Sequence, residues 1–368
     1  MGIVRLLLAF SVLNAHVGRL FGFEAISGEL AVQSFFVISG FYMSLVLGKK
    51  YSLDRAGITT FYRNRFLRLA PTYWLLLAIC LIWPEMSTVS PYIPGGNIVT
   101  SLTHLPFFDA CLIAISGVFL MGQDLLFFRE ISPDLSVHWS THAGSAGLPL
   151  NSHLYISPSW SLALELWFYL VAPFFAGRRW KVIAGTCAAS LAIRLVLADN
   201  GIWNDPWNFR FFPSEFLWFG LGMLAQRFHS ANKSVFNRQL GLAALAFVVL
   251  GICFQSFIPL EKMMKHWVFL SLFVVAVPFI FDLTKNNSID RFVGELSFPL
   301  YMCHAVVQHA IDSYWPDAGD WTAPSIASIS IVIAIALNRG FEMPIEKIRQ
   351  RGLQKLSLEN QPTSKRVA

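Results

Sequence analysis

Arg5-Leu-Leu-Leu-Ala-Phe-Ser-Val-Leu-Asn-Ala-His16 is an apolar, helix-forming run with one arginine at its start and one histidine at its end. At about 100° per residue, the eleven steps between them turn through roughly 1,100°, about 20° past three full turns. Arg5 and His16 therefore share a helical face, roughly 16 Å apart along the axis at about 1.5 Å per residue. Inside a membrane both side chains are costly to bury and need a reason to be there. The plain alternative is an anchor whose Arg5 snorkels to the interface while His16 is a packing residue.

The rest of the chain favours a membrane setting. Its 368 residues are 55% hydrophobic and only 14% charged, with a mean hydropathy of +0.54, whereas soluble domains carry about 25% charged residues. Long apolar runs recur from end to end, which predicts an all-α polytopic membrane protein. Thirty-three Phe and twelve Trp suit lipid-facing surfaces and interfacial belts. The net charge of +6 does not point to nucleic acid, because the Lys and Arg fall between apolar runs, where they set topology. Cys80, Cys111, Cys187, Cys253 and Cys303 are dispersed, with neither a disulfide framework nor metal-ligand spacing. No metal is expected. Residues 1–21 lack a convincing cleavage pattern and read as a retained first helix.

Ten spanning helices are expected, at about 3–21, 30–48, 67–83, 157–176, 181–198, 211–228, 240–258, 266–283, 294–312 and 323–341. A further apolar run at 107–122 is left out of the count. Doing so places the basic clusters at 49–68, 178–181, 227–238, 285–291 and 347–355 on one side, which the positive-inside rule makes the cytoplasm. Both termini are then cytoplasmic. Residues 1–346 form the membrane domain, 84–156 an external or re-entrant region in which 107–122 dips into or lies on the membrane, and 347–368 a basic cytoplasmic tail.

Three further segments carry candidate chemistry. Arg65 and Arg68 lie three apart at the cytoplasmic approach to the third helix and share a face, with Pro71 expected to break or start a helix there. Two guanidinium groups so held can grip phosphate oxygens, although a topogenic cluster has the same look. Glu165 lies about two turns into an apolar helix entered from outside. An intramembrane carboxylate is a functional hypothesis by default, its alternative a salt bridge to Arg194. In the ninth helix Pro299 should introduce a kink, and His304 is at mid-membrane, where a structural hydrogen-bonding role is the plainer reading. His104, His138, His142, His153 and His309 show no interpretable spacing.

Taken together, these segments resemble the acyltransferase-3 family of integral membrane acyltransferases, which O-acylate bacterial cell-surface carbohydrates. Arg5 and His16 are similar to its first-helix Arg-x10-His signature. Phe35-Phe-Val-Ile-Ser39-Gly-Phe41 resembles its second helix, in the form nearest to exopolysaccharide acetyltransferases. Arg65-Phe-Leu-Arg68 with Pro71 and Tyr73 resembles its Arg-x-x-Arg element, and Trp160-Ser161-Leu-Ala-Leu-Glu165 its Trp-Ser-Leu-x-x-Glu segment. Ser297, Tyr301 and His304 resemble its late Ser-x-x-x-Tyr-x-x-His helix, and Glu342-Met-Pro344 its closing Glu-x-Pro. The chain departs from the pattern at Gln33, where an acidic residue is usual, and at Leu166 and Trp167.

The resemblance implies transfer of an acyl group, acetyl by family frequency, from cytoplasmic acyl-CoA to a hydroxyl of an extracytoplasmic carbohydrate or its lipid-linked precursor. It implies a bacterial cytoplasmic membrane location and no metal. Arg65, Arg68 and Arg5 would bind the donor, and His16, Glu165 and Arg5 would be catalytic, with Glu165 orienting His16 or binding the acceptor. Ser39, Trp160, Ser161, Tyr301 and His304 are further candidates. His16 could act as a general base or carry the acyl group itself. A flippase of glycolipid intermediates, or a non-catalytic subunit of a polysaccharide synthesis complex, would also show many helices with scattered buried charge. Oligomeric state has no signature in the sequence.

Overall fold

In a computed structural model of the chain, residues 1–20, 22–141, 147–316 and 319–359 are described, with side chains through 352. His142 lies outside the described residues. The helices are α1 (Gly2–Val17), α2 (Gly28–Val46), α3 (Arg55–Ile82), α4 (Ile98–His104), α5 (Phe107–Phe119), α6 (Trp160–Ala176), α7 (Trp180–Asp199), α8 (Phe212–Ala231), α9 (Arg238–Phe254), α10 (Lys262–Thr284), α11 (Ser288–Glu295), α12 (Ser297–Tyr314), α13 (Thr322–Leu337) and α14 (Met343–Glu359). Each expected apolar segment coincides with one of them. A small antiparallel sheet between α5 and α6, of strands 129–131, 137–139 and 148–149 in the order second, first, third, is the exception to an all-helical chain.

Among the described residues, seven helical runs are long and apolar enough to cross a membrane: α2, α3, α6, α7, α9, α10 and the run through α13 into α14. That is fewer than the ten expected on sequence. α1 is apolar but short, while α8 and α12 are long but more polar. Their polar residues face inward: Glu215, Gln226 and His229 of α8 and His304 of α12 are all buried. Helices wrapped by others can carry such groups because they do not meet lipid.

Two glycines fix the centre of the bundle. A Cβ on Gly40 of α2 would lie 1.9 Å from the carbonyl oxygen of Phe219 in α8, and one on Gly222 would lie 2.1 Å from that of Val37. The two backbones therefore touch, as small residues permit in membrane helices, and Phe36 stacks on Phe219 at 4.5 Å. Ser39, one residue before Gly40, is turned about 100° from this contact and faces the site described below.

Three local expectations change. α3 runs unbroken through Pro71, so the Arg65–Arg68 pair sits inside a helix that starts at Arg55 rather than ahead of one starting near 67. Buried helices tolerate a proline when neighbours re-satisfy the freed backbone. Pro299 does not kink a helix. The chain instead breaks between α11 and α12 at Leu296, leaving Pro299 in the first turn of α12, where its missing N–H has no intrahelical partner to lose. Within 107–122, α5 has 13 residues, about 20 Å of helix. It leans on α3, where the Tyr73 hydroxyl and Trp74 indole donate to the carbonyls of Gly117 and Val118 at 2.5 and 2.7 Å. Phe107, Phe108, Ile115 and Phe119 stay exposed on its other side.

Candidate active site

A cavity of about 450 Å³ runs into the bundle between α1, α2, α3, α6 and α12. Arg5, Ser39, Arg65, Arg68, Ser161, Glu165 and Tyr301 all line it, although they come from five helices spread over almost 300 residues. Six cationic side chains (Arg5, Arg65, Arg68, Lys285, Arg291 and Arg349) and four carboxylates stand on its wall. Cations held in a confined wall focus a positive potential on any anion that enters.

The arginines are positioned by aromatic faces and one acid. The Arg65 guanidinium lies 5.8 Å from the Phe61 ring centroid and 5.7 Å from that of Tyr169, and its buried Nε has no protein partner among the described residues. Arg68 lies 5.6 Å from the Phe298 centroid and 4.0 Å from Glu342. Glu342 also accepts from the Thr72 hydroxyl at 3.1 Å. The turn that delivers it, Asn338–Glu342, is a π-helix, a form enriched at functional sites.

Glu165 accepts from the Ser39 hydroxyl at 2.7 Å and from Tyr169 at 2.5 Å. It contacts neither of the partners expected for it. Arg194 is paired with Glu215, and the ring that meets His16 is His304, not a carboxylate. Arg5 is within electrostatic reach of Arg68 and Glu165, so Glu165 belongs with the arginine end of the site.

At the far end of the cavity the Ser161 and Tyr301 hydroxyls meet at 2.7 Å, and Tyr301 also donates to the Pro158 carbonyl at 3.2 Å. One helical turn beyond Tyr301 lies His304, whose ring centroid is 5.1 Å from that of His16. His16 and His304 are outside the cavity lining. His304 is fully buried, with Nδ1 3.3 Å from the Leu300 carbonyl, while His16 is exposed. Trp160 is outside the cavity too, buried with Arg210 over its ring at 3.9 Å and Phe209 edge-on at 4.8 Å.

Of the other described histidines, His309 is within electrostatic reach of His16 but does not line the cavity. His153 occupies both ring nitrogens, with Ser101 at 2.8 Å and Leu150 at 3.0 Å, and His138 meets Ser132 at 3.2 Å. Among the described residues no cluster of His, Cys, Asp or Glu could hold a metal ion. Tyr42, Tyr169, Lys285, Arg291 and Arg349 line the cavity without having been singled out in the sequence. Lys285 and Arg291 belong to the basic cluster at 285–291 and Arg349 to that at 347–355, which carried a topology signal only, and Tyr42 had none.

A model of the family described as "Acyltransferase domain", acyltransferase-3, matches residues 1–338. The chain belongs to the acyltransferase-3 family. It is 27% identical over 182 residues to Acyltransferase MdmB of Streptomyces mycarofaciens, covering 47% of this chain and 36% of that protein. It is 25% identical over 358 residues to a protein of Staphylococcus aureus (strain COL) provisionally named an O-acetyltransferase, covering 87% of this chain and 53% of that one. Over 142 residues it is 36% identical to Protein 2 in the picA locus of Rhizobium radiobacter, covering 35% and 74%. The chain thus spans about half or less of the first two relatives. No solved structure matches it.

Proposed function

We propose that the chain is a multi-pass O-acyltransferase that moves an acetyl group from cytoplasmic acyl-CoA to a hydroxyl of an extracytoplasmic carbohydrate. The observation that carries this reading is one cavity with cations along its wall, ending at the Ser161–Tyr301 pair, one turn from the His304–His16 contact. A CoA thioester is a polyphosphate joined to a long neutral arm, which suits a cationic mouth and a narrow polar end. With ten spans and the basic clusters inward, Arg5, Arg65 and Arg68 face the cytoplasm and His16 the outside, in the cytoplasmic membrane of a bacterium.

In this account Arg65 and Arg68 hold donor phosphates, and Arg5, beside Arg68, holds a further phosphate. Glu165, fixed by Ser39 and Tyr169, keeps the arginine end in register. The His16 imidazole takes the proton of the sugar hydroxyl as its oxygen attacks the thioester carbon. A C–O bond forms, the C–S bond breaks, and the proton passes on to the thiolate of CoA. The relatives named for acyl and O-acetyl transfer support the reaction class.

The test is mass spectrometry of surface glycans from a strain lacking the chain. Loss of acetyl groups, restored by the wild-type chain, is the expected result. Unchanged acetylation with loss of polymer would favour a structural subunit instead.

A further inference from the structure

A second chamber, of about 550 Å³, opens at the end of the bundle where His16 lies, within the roughly 300–1,000 Å³ common for small-molecule sites. It is built from the start of α2 (Glu29), the 203–209 segment between α7 and α8, and the first turns of α8 and α10. These parts share the His16 end because α1 runs from Arg5 to His16 and α2 returns from that end. The Ile26 N–H also bonds to the Ile252 carbonyl at the close of α9.

Three tryptophans, Trp203, Trp218 and Trp267, line this chamber. Trp218 and Trp267 lie with ring centroids 5.3 Å apart. Trp218 is 1% exposed, yet its indole N–H has no protein partner among the described residues, and nor does the side-chain oxygen of Asn208. Leaving buried polar groups unpaired is costly, and both atoms belong to residues of the chamber wall. Arg194 is committed to Glu215, and the neighbouring Arg210 to Asp205 at 2.7 Å, while Lys262 also lines the chamber. Carboxylates from Glu29, Asp205 and Glu261 leave no cationic excess. A phosphate or other anion is therefore disfavoured. A neutral polyol, with hydroxyls that both donate and accept and an apolar face to lay on indole, fits this lining.

The chamber shares a wall with the His16 region. Phe209 lines it and packs on Trp160. Arg210, stacked on Trp160, lies within electrostatic reach of both His16 and Tyr301.

We propose that the chamber formed by Trp203, Trp218, Trp267, Asn204 and Asn208 is a saccharide subsite, holding one sugar unit while a neighbouring unit of the same chain is presented at His16. This rests on the acyl-transfer reading for its acceptor class. It predicts that the protein prefers oligosaccharides to monosaccharides.

The test uses the full chain in lipid nanodiscs, titrated with methyl glycosides and with di- to tetrasaccharides of glucose, galactose and N-acetylglucosamine. Binding of acetyl-CoA is measured on the same samples. At least one series should gain about tenfold in affinity from mono- to di- or trisaccharide. Trp267→Ala and Asn204→Ala should each erase that gain, and Trp267→Phe should keep most of it. Asn204 is exposed, so its variant tests the subsite without disturbing packing. The proposal is overturned if no saccharide binds while acetyl-CoA does, if the gain survives both alanine variants, or if glycerol 3-phosphate displaces a bound sugar from the chamber. A folded sample that binds sugars in the predicted way but not acetyl-CoA would count against the donor assignment and leave the subsite supported.

Discussion

The His304 imidazole meets that of His16 edge to face, with ring centroids 5.1 Å apart. Tyr301, on the same side of α12 three residues earlier, ends the cavity that Arg5, Arg65 and Arg68 line. The helix that closes the proposed donor cavity is thus the one that supports the proposed base. His304→Ala should lower kcat for acetyl transfer about 10- to 100-fold with the KM for acetyl-CoA unchanged, since the interaction lies beyond the donor. Steady-state kinetics against donor concentration decide it. A raised KM at constant kcat would move His304 to the donor side.

Glu342 meets Arg68 at 4.0 Å and is held by Thr72. Glu342→Gln keeps the shape but removes the charge that steadies the guanidinium. The KM for acetyl-CoA should rise several-fold with little change in kcat. Equal donor affinity in the variant and the wild type would deny Arg68 a phosphate-binding role.

Gly40 and Gly222 let α2 and α8 touch. Gly40→Val would drive two methyl groups into the Phe219 carbonyl, where overpacking costs about 3 kcal/mol or more. Little folded protein should survive detergent extraction, as read by size-exclusion chromatography. A monodisperse, stable variant would show that the crossing is looser than described.

Gln33 stands where the family resemblance leads one to expect an acid. Its amide donates to Glu215 at 2.9 Å, and its oxygen meets His266 at 2.5 Å. Here Glu215 is already the buried carboxylate, paired with Arg194. Gln33→Glu would set a second carboxylate against it, and buried like charges repel. The melting temperature in detergent should fall by several degrees. An unchanged value would mean that His266 takes up the charge.

Burial pushes the Asp124 carboxyl up to about 6, although a bond from the Trp167 indole opposes the shift. The folded form holds this proton more tightly than the unfolded form. Asp124 therefore contributes stability that is fully present below about pH 4 and is lost as pH rises through about 6. Asp124→Asn should flatten the pH dependence of melting between pH 4 and 7. A slope as steep as wild type would assign it to other groups.

The bundle was legible because apolar runs of spanning length are hard to mistake for anything else, and α1 to α3 and α6 to α10 sit where those runs lie. What escaped was the effect of tertiary context. Pro71 looked like a boundary because local rules cannot see the neighbours that let a helix continue through it. Glu165 and His16 read as partners in the sequence because both are polar and fall toward the outside. Glu165 instead turns toward Ser39 and Tyr169, contacts set by the α2–α6 packing. Arg349 and Lys285 read only as topology signals, since charge count along a chain does not say which loops fold back over one cavity mouth.

The most direct test of the central claim measures acetyl-CoA binding and acetyl transfer on the same purified His16→Ala protein in nanodiscs. The account predicts donor affinity within about twofold of wild type and transfer reduced by at least about 10²-fold, because the arginine end is intact and the base is gone. Transfer at the wild-type rate by that variant would contradict it.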